Sequence, residues 1–449
     1  MNNGAAVGPQ GEGMDSPSTF PAYSAYKDSG VEWAGELPVE WQVLKLKRAA
    51  RLQSGEFITA EAIEEDAQYP VYGGNGLRGY TVAYTHDGEF ALIGRQGALC
   101  GNINYAEGKF WASEHAVVVY PEKGIVTRWL GELLRSMNLG QYSVSAAQPG
   151  LSVERIADLL IPMPSPAEQA QIARFLDHET ARIDALIDEQ QRLIELLKEK
   201  RQAVISHAVT KGLDPKVPMK DSGEEWLGEV PAHWVRKRLK NISPFITVGI
   251  VVNPSDYVAD EGLPFLYGGE VKEGFIEVDK ARKISPENSR KNRKTMLEAG
   301  DIVTMRVGYP GLTAVVPPEC AGGNCASVML VRRGKYDSHW LCAVMNSRLV
   351  RQQVEVVQYG AAQKQFNIAD AIEFWMYEPP IEEQSKIAEF IDGQSFVFDA
   401  LMEESERSML LLKERRSALI SAAVTGKIDV CGWQPPASVQ APELAQEAV

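Results

Sequence analysis

The sequence predicts an α+β fold: two strand-rich α/β inserts joined by two long helices that form an antiparallel coiled coil, with pseudo-twofold symmetry. Three observations carry this reading. The segment Lys27-Asp28-Ser29-Gly30-Val31-Glu32-Trp33-Ala34-Gly35-Glu36, with Pro38 and Trp41, returns 193 residues later as Lys220-Asp221-Ser222-Gly223-Glu224-Glu225-Trp226-Leu227-Gly228-Glu229, with Pro231 and Trp234. A second block, Glu168-Gln169, Ile172-Ala173, Phe175 and Asp177, returns at an offset of 215 as Glu383-Gln384, Ile387-Ala388, Phe390 and Asp392. Each second block opens a long helical pattern, and both patterns end alike, in Val209-Thr210 and Asp214 or Val424-Thr425 and Asp429. Between the matching blocks the two copies are nearly unrelated, so a repeated frame holds two divergent inserts.

In chain order, residues 1–24 read as a disordered tail and 25–165 as the first lead-in motif with its insert. Residues 166–212 form the first long helix. Ser165 supplies an N-cap, Pro166 the first helical position and Glu168 an early acidic residue. No Pro or Gly follows until Gly212, and Ile172, Leu176, Ile183, Leu186, Leu193, Leu197 and Val204 sustain a heptad-like stripe. The stretch from 168 to 208 would make ~60 Å of helix at ~1.5 Å per residue. Residues 213–380 are the second lead-in and insert, 381–428 the second long helix, and 429–449 a second disordered tail. The second stripe runs through Ile387, Ile391, Phe398, Leu401, Leu412 and Leu419, with Gly393 as a soft spot. A lone helix of this length cannot bury its stripe. The two are therefore expected to pack on each other, through Ile183, Leu186, Gln190, Leu193 and Leu197 against Phe398, Leu401, Ser405 and Leu412. Gln190 and Ser405 fall on core positions, where a polar pair would fix register. The plainer alternative is that each helix packs on its own insert.

Both inserts are strand-rich, punctuated by Gly and Pro. The first contains Gly74, Gly76 and Gly79 in a formal GxGxxG, but Tyr80-Thr81-Val82-Ala83-Tyr84 follows where a helix should start, so the segment reads as a hairpin carrying Arg78. Leu266-Tyr267-Gly268-Gly269 repeats its Tyr-Gly-Gly without the fingerprint. A second shared element is an apolar strand ending in Arg-x-Gly: Arg95-Gln96-Gly97 and Arg306-Val307-Gly308, the latter followed by Tyr309. Arg is the commonest reader of guanine and a strong phosphate contact, and it equally serves as a structural partner of carboxylates. A third element is Ser145-Ala146-Ala147-Gln148, matched by Gly360-Ala361-Ala362-Gln363 with Lys364, Gln365 and Asn367 behind it. Amides and amines suit base edges, although a polar loop facing water fits as well. Arg290-Lys291 and Arg293-Lys294 form a basic cluster that would neutralise phosphates or line a solvated face.

The net charge of −14 argues at first against nucleic acid. Residues 42–160 carry −2 and residues 235–375 carry +4, so the remaining −16 sits on the frame and tails. Five cysteines without a CxxC suggest a reducing compartment, the cytoplasm. The six histidines lie more than 20 residues apart, so no metal site is expected. No apolar run reaches the roughly 20 residues that span a bilayer, so no membrane association is expected. Phosphate-loop, amino-methyltransferase, nuclease, HExxH and GxSxG signatures are all missing, so the chain is expected to perform no chemistry of its own.

Lys-Asp-Ser-Gly-x-Glu-Trp-x-Gly-Glu-x-Pro-x-x-Trp before each insert resembles the specificity subunit of type I restriction–modification systems. So does Pro-x-Pro-x-Pro-x-Glu-Gln-x-x-Ile-Ala-x-Phe-Leu-Asp from Pro162 to Asp177. The second helix opening departs from it, with Tyr377, Ile381 and Ile391 in place of Pro162, Pro166 and Leu176. The resemblance covers about residues 25–430. It implies two target recognition domains, each reading half of a bipartite double-stranded DNA site, and paired helices acting as a ruler. It also implies docking of two methyltransferase subunits, then of restriction/translocase subunits. S-adenosylmethionine, ATP and Mg would belong to those partners, with no cofactor on this chain. A coiled-coil scaffold with protein-binding inserts, or an enzyme with a cryptic site, are the competing readings. Under the ruler reading, inserting four residues near Gln190 lengthens the helix by ~6 Å, about two ~3.4 Å steps of DNA. Methylation mapping should then show a longer spacer with both half-sites kept; altered half-sites at an unchanged spacer would refute the ruler.

Overall fold

A computed structural model of the chain describes residues 20–97, 99–143, 150–360 and 364–436. The chain divides into two compact units, one built from the residues up to Gln190 together with those from Arg407 onward, the other from Gln191–Glu406. This division cuts across the linear one expected from sequence. The long helices, Pro166–Lys211 and Ile381–Val424, are each continuous and each shared between the units.

In the first unit, an antiparallel sheet orders the strands Ala50–Ser54, Ala116–Pro121, Phe90–Gly94 and Ile103–Ala106. A second sheet orders Gly76–Thr81, Tyr69–Gly73, Lys109–Ala112 and His86–Asp87, with one parallel pair, Tyr69–Gly73 with Lys109–Ala112. The second unit shares the first sheet and three strands of the second, whose fourth strand lies on the opposite edge. Its first sheet runs Ile246–Val248, Met329–Val331, Ile302–Thr304 and Thr313–Val315. Its second sheet runs Val258–Ala259, Arg282–Ile284, Leu263–Leu266 and Asn324–Cys325, again with one parallel pair. Two inserts of nearly unrelated sequence thus share one four-stranded antiparallel sheet and a three-stranded mixed core, and differ in the outer strand of the second sheet. The hairpin expected at Gly73–Gly76 is present, with Gly76 at φ +91 in its turn.

The lead-in motif of each unit is locked onto the start of a long helix by the repeated Glu-Gln pair. Trp41 is buried and its Nε1 donates to Glu168 Oε1 at 2.9 Å. Gln169 Oε1 accepts from the Val126 N–H at 3.0 Å, and its Nε2 donates to the Pro164 carbonyl at 3.0 Å. The second unit repeats each bond: Trp234 Nε1 to Glu383 Oε1 at 3.1 Å, Asp337 N–H to Gln384 Oε1 at 2.9 Å, and Gln384 Nε2 to the Pro379 carbonyl at 2.9 Å. A Gly in the left-handed region, Gly212 or Gly426, follows each long helix.

Helix pairing and helix–insert packing coexist within each unit. In the first, Ile172, Phe175 and Ile183 share one core with Leu419, Ile420 and Val424 and with Trp129, Leu130 and Leu133 of the insert. Arg416 there pairs with Asp184 at 2.8 Å. In the second, Ile205, Ala208 and Val209 share a core with Ile387, Ile391 and Trp340. In both, an early segment of one long helix meets a late segment of the other, so the pairing is antiparallel. The seam differs from the expected one in detail. Ile183 and Ser405 are buried, and Leu186, Gln190, Leu197, Phe398 and Leu412 are half-buried. Leu193 and Leu401, however, are 41% and 48% exposed, while Ile194 is 2% exposed. Adjacent apolar residues straddle the stripe here, and the heptad places the second of each pair, Ile194 and the half-buried Met402, inward.

The tails are also shorter than expected. Phe20 packs edge-on against Phe175 at 5.1 Å, and Phe175 against Trp433 at 5.3 Å. The Asp429 N–H donates to the Pro21 carbonyl at 2.7 Å. The remaining tail positions, 1–19 and 437–449, lie outside the described residues. Ile194→Ala should cost ~2–4 kcal/mol of stability, whereas Leu193→Ala should stay within ~0.5 kcal/mol; denaturant melts of the two variants check this, and equal losses would place both residues in the seam.

Candidate nucleic-acid interface

Two of the elements that the inserts share come together at one edge of each unit, beside the chain that follows the third. In the first unit the strand Phe90–Gly94 is buried from Ala91 to Gly94 and then emerges as Arg95-Gln96-Gly97. Gly94 lies so close to the Tyr-Gly-Gly turn that a Cβ there would fall 2.2 Å from the Gly74 carbonyl oxygen. Only glycine permits this approach. On the other side Gln96 bridges to Gly150, and the Leu151 N–H donates to the Arg95 carbonyl at 2.9 Å. The chain that follows the third element thus lies beside the second, while Ser145, Ala146, Ala147 and Gln148 lie outside the described residues.

The side chains there are not those that the motif alone suggested. Arg95 is half-buried, and its Nη1 donates to Ser54 Oγ at 3.2 Å. The exposed group is Gln96, whose Oε1 lies 2.9 Å from His115 Nδ1. His115 Nε2 lies 3.2 Å from Glu114 Oε1, so Gln96, His115 and Glu114 form a polar chain along the edge. His115, Glu114 and Ser54 were not singled out from sequence. The one available signal was a Ser-Glu-His run immediately before the buried strand Ala116–Pro121. Arg78 is exposed on the adjoining hairpin, its Cδ lying 2.4 Å from where a Cβ of Gly73 would sit.

The second unit builds the same edge from different residues. The strand Ile302–Thr304 leads through Met305 to Arg306, Val307, Gly308 and Tyr309. Val307 bridges to Gln365, the Gly308 N–H donates to the Lys364 carbonyl at 3.0 Å, and Phe366 N–H to the Arg306 carbonyl at 3.2 Å. Gln365 pairs in turn with Tyr359, whose hydroxyl donates to Asn367 Oδ1 at 2.9 Å. The Tyr267-Gly268-Gly269 turn abuts the same place, because a Cβ on Gly268 would meet Met305 Cγ at 3.3 Å. Tyr309 is 78% exposed, and Lys364 and Asn367 are exposed beside it. Arg306 is half-buried, and its Nε has no hydrogen-bond partner. Gln363 lies outside the described residues. Among the described residues neither Arg95 nor Arg306 pairs with a carboxylate, and Arg95 is held by Ser54 instead.

The basic cluster stands apart. Arg290 and Lys291 end a short helix, Pro286–Lys291, and Arg293 and Lys294 lie in the turn that follows. Lys291 is engaged by Glu287 at 2.8 Å, and that hydrogen bond and charge hold its ammonium above the usual lysine range. No hydrogen bond or ion pair among the described residues links this cluster to the Arg306 edge.

The type I restriction modification DNA specificity domain family matches residues 38–196. The EcoprrI specificity subunit of Escherichia coli is 43% identical over 159 residues, which is 34% of this chain and 39% of that protein. The chain thus spans about two fifths of that relative. The EcoDI specificity subunit of Escherichia coli is 21% identical over 421 residues, covering 88% of this chain and 90% of that one. A solved structure described as underlying complex assembly and conformational transition of the type I R-M system superposes with a TM-score of 0.66 at 16% identity. It covers 86% of this chain and 98% of the other, a likeness of fold.

If this edge reads DNA bases, Arg306→Ala should cost ~1–3 kcal/mol of discrimination at one base position and relax only the half of the target read by the second unit. Methylation mapping checks it, and equal relaxation of both halves would assign Arg306 to backbone contact.

Proposed function

We infer that this chain, which belongs to the family of type I restriction–modification specificity subunits, recognises a bipartite double-stranded DNA target, one half-site per unit. The observation that carries this is the pair of edges. Both units use a shared antiparallel sheet and a Tyr-Gly-Gly turn packed against its Arg-x-Gly strand end to form the edge, yet they fill it with different side chains. A scaffold of fixed shape with exchangeable side chains is what reading two different sequences requires. Gln96 with His115 and Glu114 offers a mixed donor–acceptor set; Arg306, Lys364, Gln365, Asn367 and Tyr309 offer donors and an aromatic. Lys291, Arg290, Arg293 and Lys294 lie on a separate segment suited to phosphates, the sequence-independent part of binding.

The chain is proposed to be non-catalytic. Methylation and cleavage would belong to partner subunits carrying S-adenosylmethionine, ATP and Mg. Leu193, Leu196 and Phe396 of the second unit, and Leu410 and Leu411 of the first, are apolar and exposed on the long helices outside the seam, as a docking surface for methyltransferase subunits would need. Among the described residues no helix is long and apolar enough to cross a membrane. The decisive experiment maps methylated adenines genome-wide in cells with and without the chain. A bipartite motif that disappears with the chain is expected; an unchanged methylome would overturn the reading.

A further inference from the structure

Beyond the polar edges, each insert carries a second feature that its divergence has spared. The strands Ala50–Ser54 and Ile246–Val248 both lead into a glycine, Gly55 or Gly249. Register makes the two glycines equivalent, since Ser54 pairs with Val117 and Val248 with Met329 on matching strands. The same backbone bonds hold both corners. Gly55 N–H donates to the Ala116 carbonyl at 2.9 Å and Glu56 N–H to the Ala112 carbonyl at 2.8 Å. Gly249 N–H donates to the Val328 carbonyl at 2.9 Å and Ile250 N–H to the Cys325 carbonyl at 2.8 Å. A Cβ would fall 2.3 Å from the Ala112 oxygen in one corner and 2.5 Å from the Cys325 oxygen in the other, so only glycine fits.

The residue two places beyond each glycine is apolar and faces water. Phe57 is 72% exposed, Val251 58%, and Val252 beside it 73%. A short 3-10 helix follows each tip, Ala60–Ala62 or Pro254–Tyr257. Single exposed apolar side chains are ordinary on protein surfaces. Here two inserts of nearly unrelated sequence hold them at one place on the same rigid corner. In the first unit the Trp111 indole N–H also donates to the Glu56 carbonyl at 3.2 Å, fixing that corner further. Both corners adjoin the edges. Ser54, three residues before Phe57, holds Arg95, and Glu56 bridges to Ser113, which leads into Glu114 and His115. Ile250 bridges to Ala326, whose N–H donates at 2.8 Å to the carbonyl of Leu266, just before the Tyr267-Gly268-Gly269 turn.

We propose that Phe57 in the first unit, and Val251 with Val252 in the second, are specificity-determining residues, each contacting the C5-methyl of a thymine in the half-site that its unit reads. Continuity with the polar edge commits the tips to whatever the edge meets. Phosphates and the polar atoms of base edges gain nothing from an apolar side chain. The thymine methyl is the apolar group that a base pair presents in the major groove. The polar side chains of the edge choose among donors and acceptors, and the tips add a preference that hydrogen bonds cannot express, methyl over hydrogen. This deepens the proposed function and rests on it.

The test uses the full chain assembled with its methyltransferase subunits, and duplexes carrying the bipartite target in which each thymine is replaced singly by deoxyuridine, which lacks only that methyl. Wild-type affinity should fall about fourfold at one thymine in each half-site, as expected for one buried methyl group. Phe57→Ser should make the first half indifferent to the exchange while the second stays sensitive; Val251→Ser with Val252→Ser should do the reverse. Thermal midpoints should stay at the wild-type value, because the side chains removed are exposed. Deoxyuridine tolerated at every thymine, or losses that persist in the variants, would overturn the proposal and leave the function intact. Variants that keep the methyl preference but shed a methyltransferase subunit would overturn it in favour of a protein contact. A wild-type complex with no preference for any bipartite target would overturn the functional reading and the tips with it.

Discussion

The arrangement of each unit depends on one buried polar junction. The Glu-Gln pair at the start of a long helix takes the indole N–H of the lead-in, a backbone N–H of the insert and a carbonyl of its own approach. Three chain segments are thereby tied at a single turn. Gln169 and Gln384 are 1% and 2% exposed, so each bond lost leaves a desolvated group unsatisfied, at a cost of ~1–3 kcal/mol. Hydrophobic contact alone would let the insert slide on the helix; this junction sets its registration. The two copies differ around the carboxylate. Glu168 also accepts from the Tyr23 hydroxyl at 2.6 Å, and burial together with that hydrogen bond holds the phenol well above its usual range. Glu383 is met instead by His233 at 2.7 Å.

The frame was legible in the sequence because its constraints are local. Caps, heptads and turn glycines act over a few residues, and duplication printed each of them twice. The inserts were less legible. The strands they have in common depend on pairings such as Tyr69–Gly73 with Lys109–Ala112, or Leu263–Leu266 with Asn324–Cys325, whose partners lie tens of residues apart. No periodicity announces such partners. The same distance hid the reading edge. Arg-x-Gly and Tyr-Gly-Gly were each visible, but that the Arg-x-Gly turn meets the chain behind the amide motif follows from backbone bridges such as Gln96 to Gly150 and Val307 to Gln365. His115 stayed invisible because a single histidine carries no pattern. The seam was half legible: Leu193 and Ile194 are equally apolar, and only packing decides which turns inward.

The edges show how one shape can serve two chemistries. Glycines do the shaping, at Gly74 and Gly94 in one unit and at Gly268 in the other. They demand nothing of the neighbouring side chains beyond room. Gln96 can therefore stand where Val307 stands, with His115 and Glu114 beside it in one unit and Tyr309 and Lys364 in the other. Specificity can drift while stability is held by residues that never touch the edge.

The division of the chain also dictates an order of events at the ribosome. The second unit is one continuous run, Gln191–Glu406, whereas the first needs the residues from Arg407 onward to complete it. Leu419, Ile420 and Val424 belong to the same core as Trp41 and Trp129. At ~5–20 residues per second, the first insert waits roughly 10–45 s after its own synthesis for those side chains to emerge. Folding should thus close the later-made unit first. During that interval the nascent N-terminal half exposes apolar surface that chaperones, rather than the chain itself, must shield.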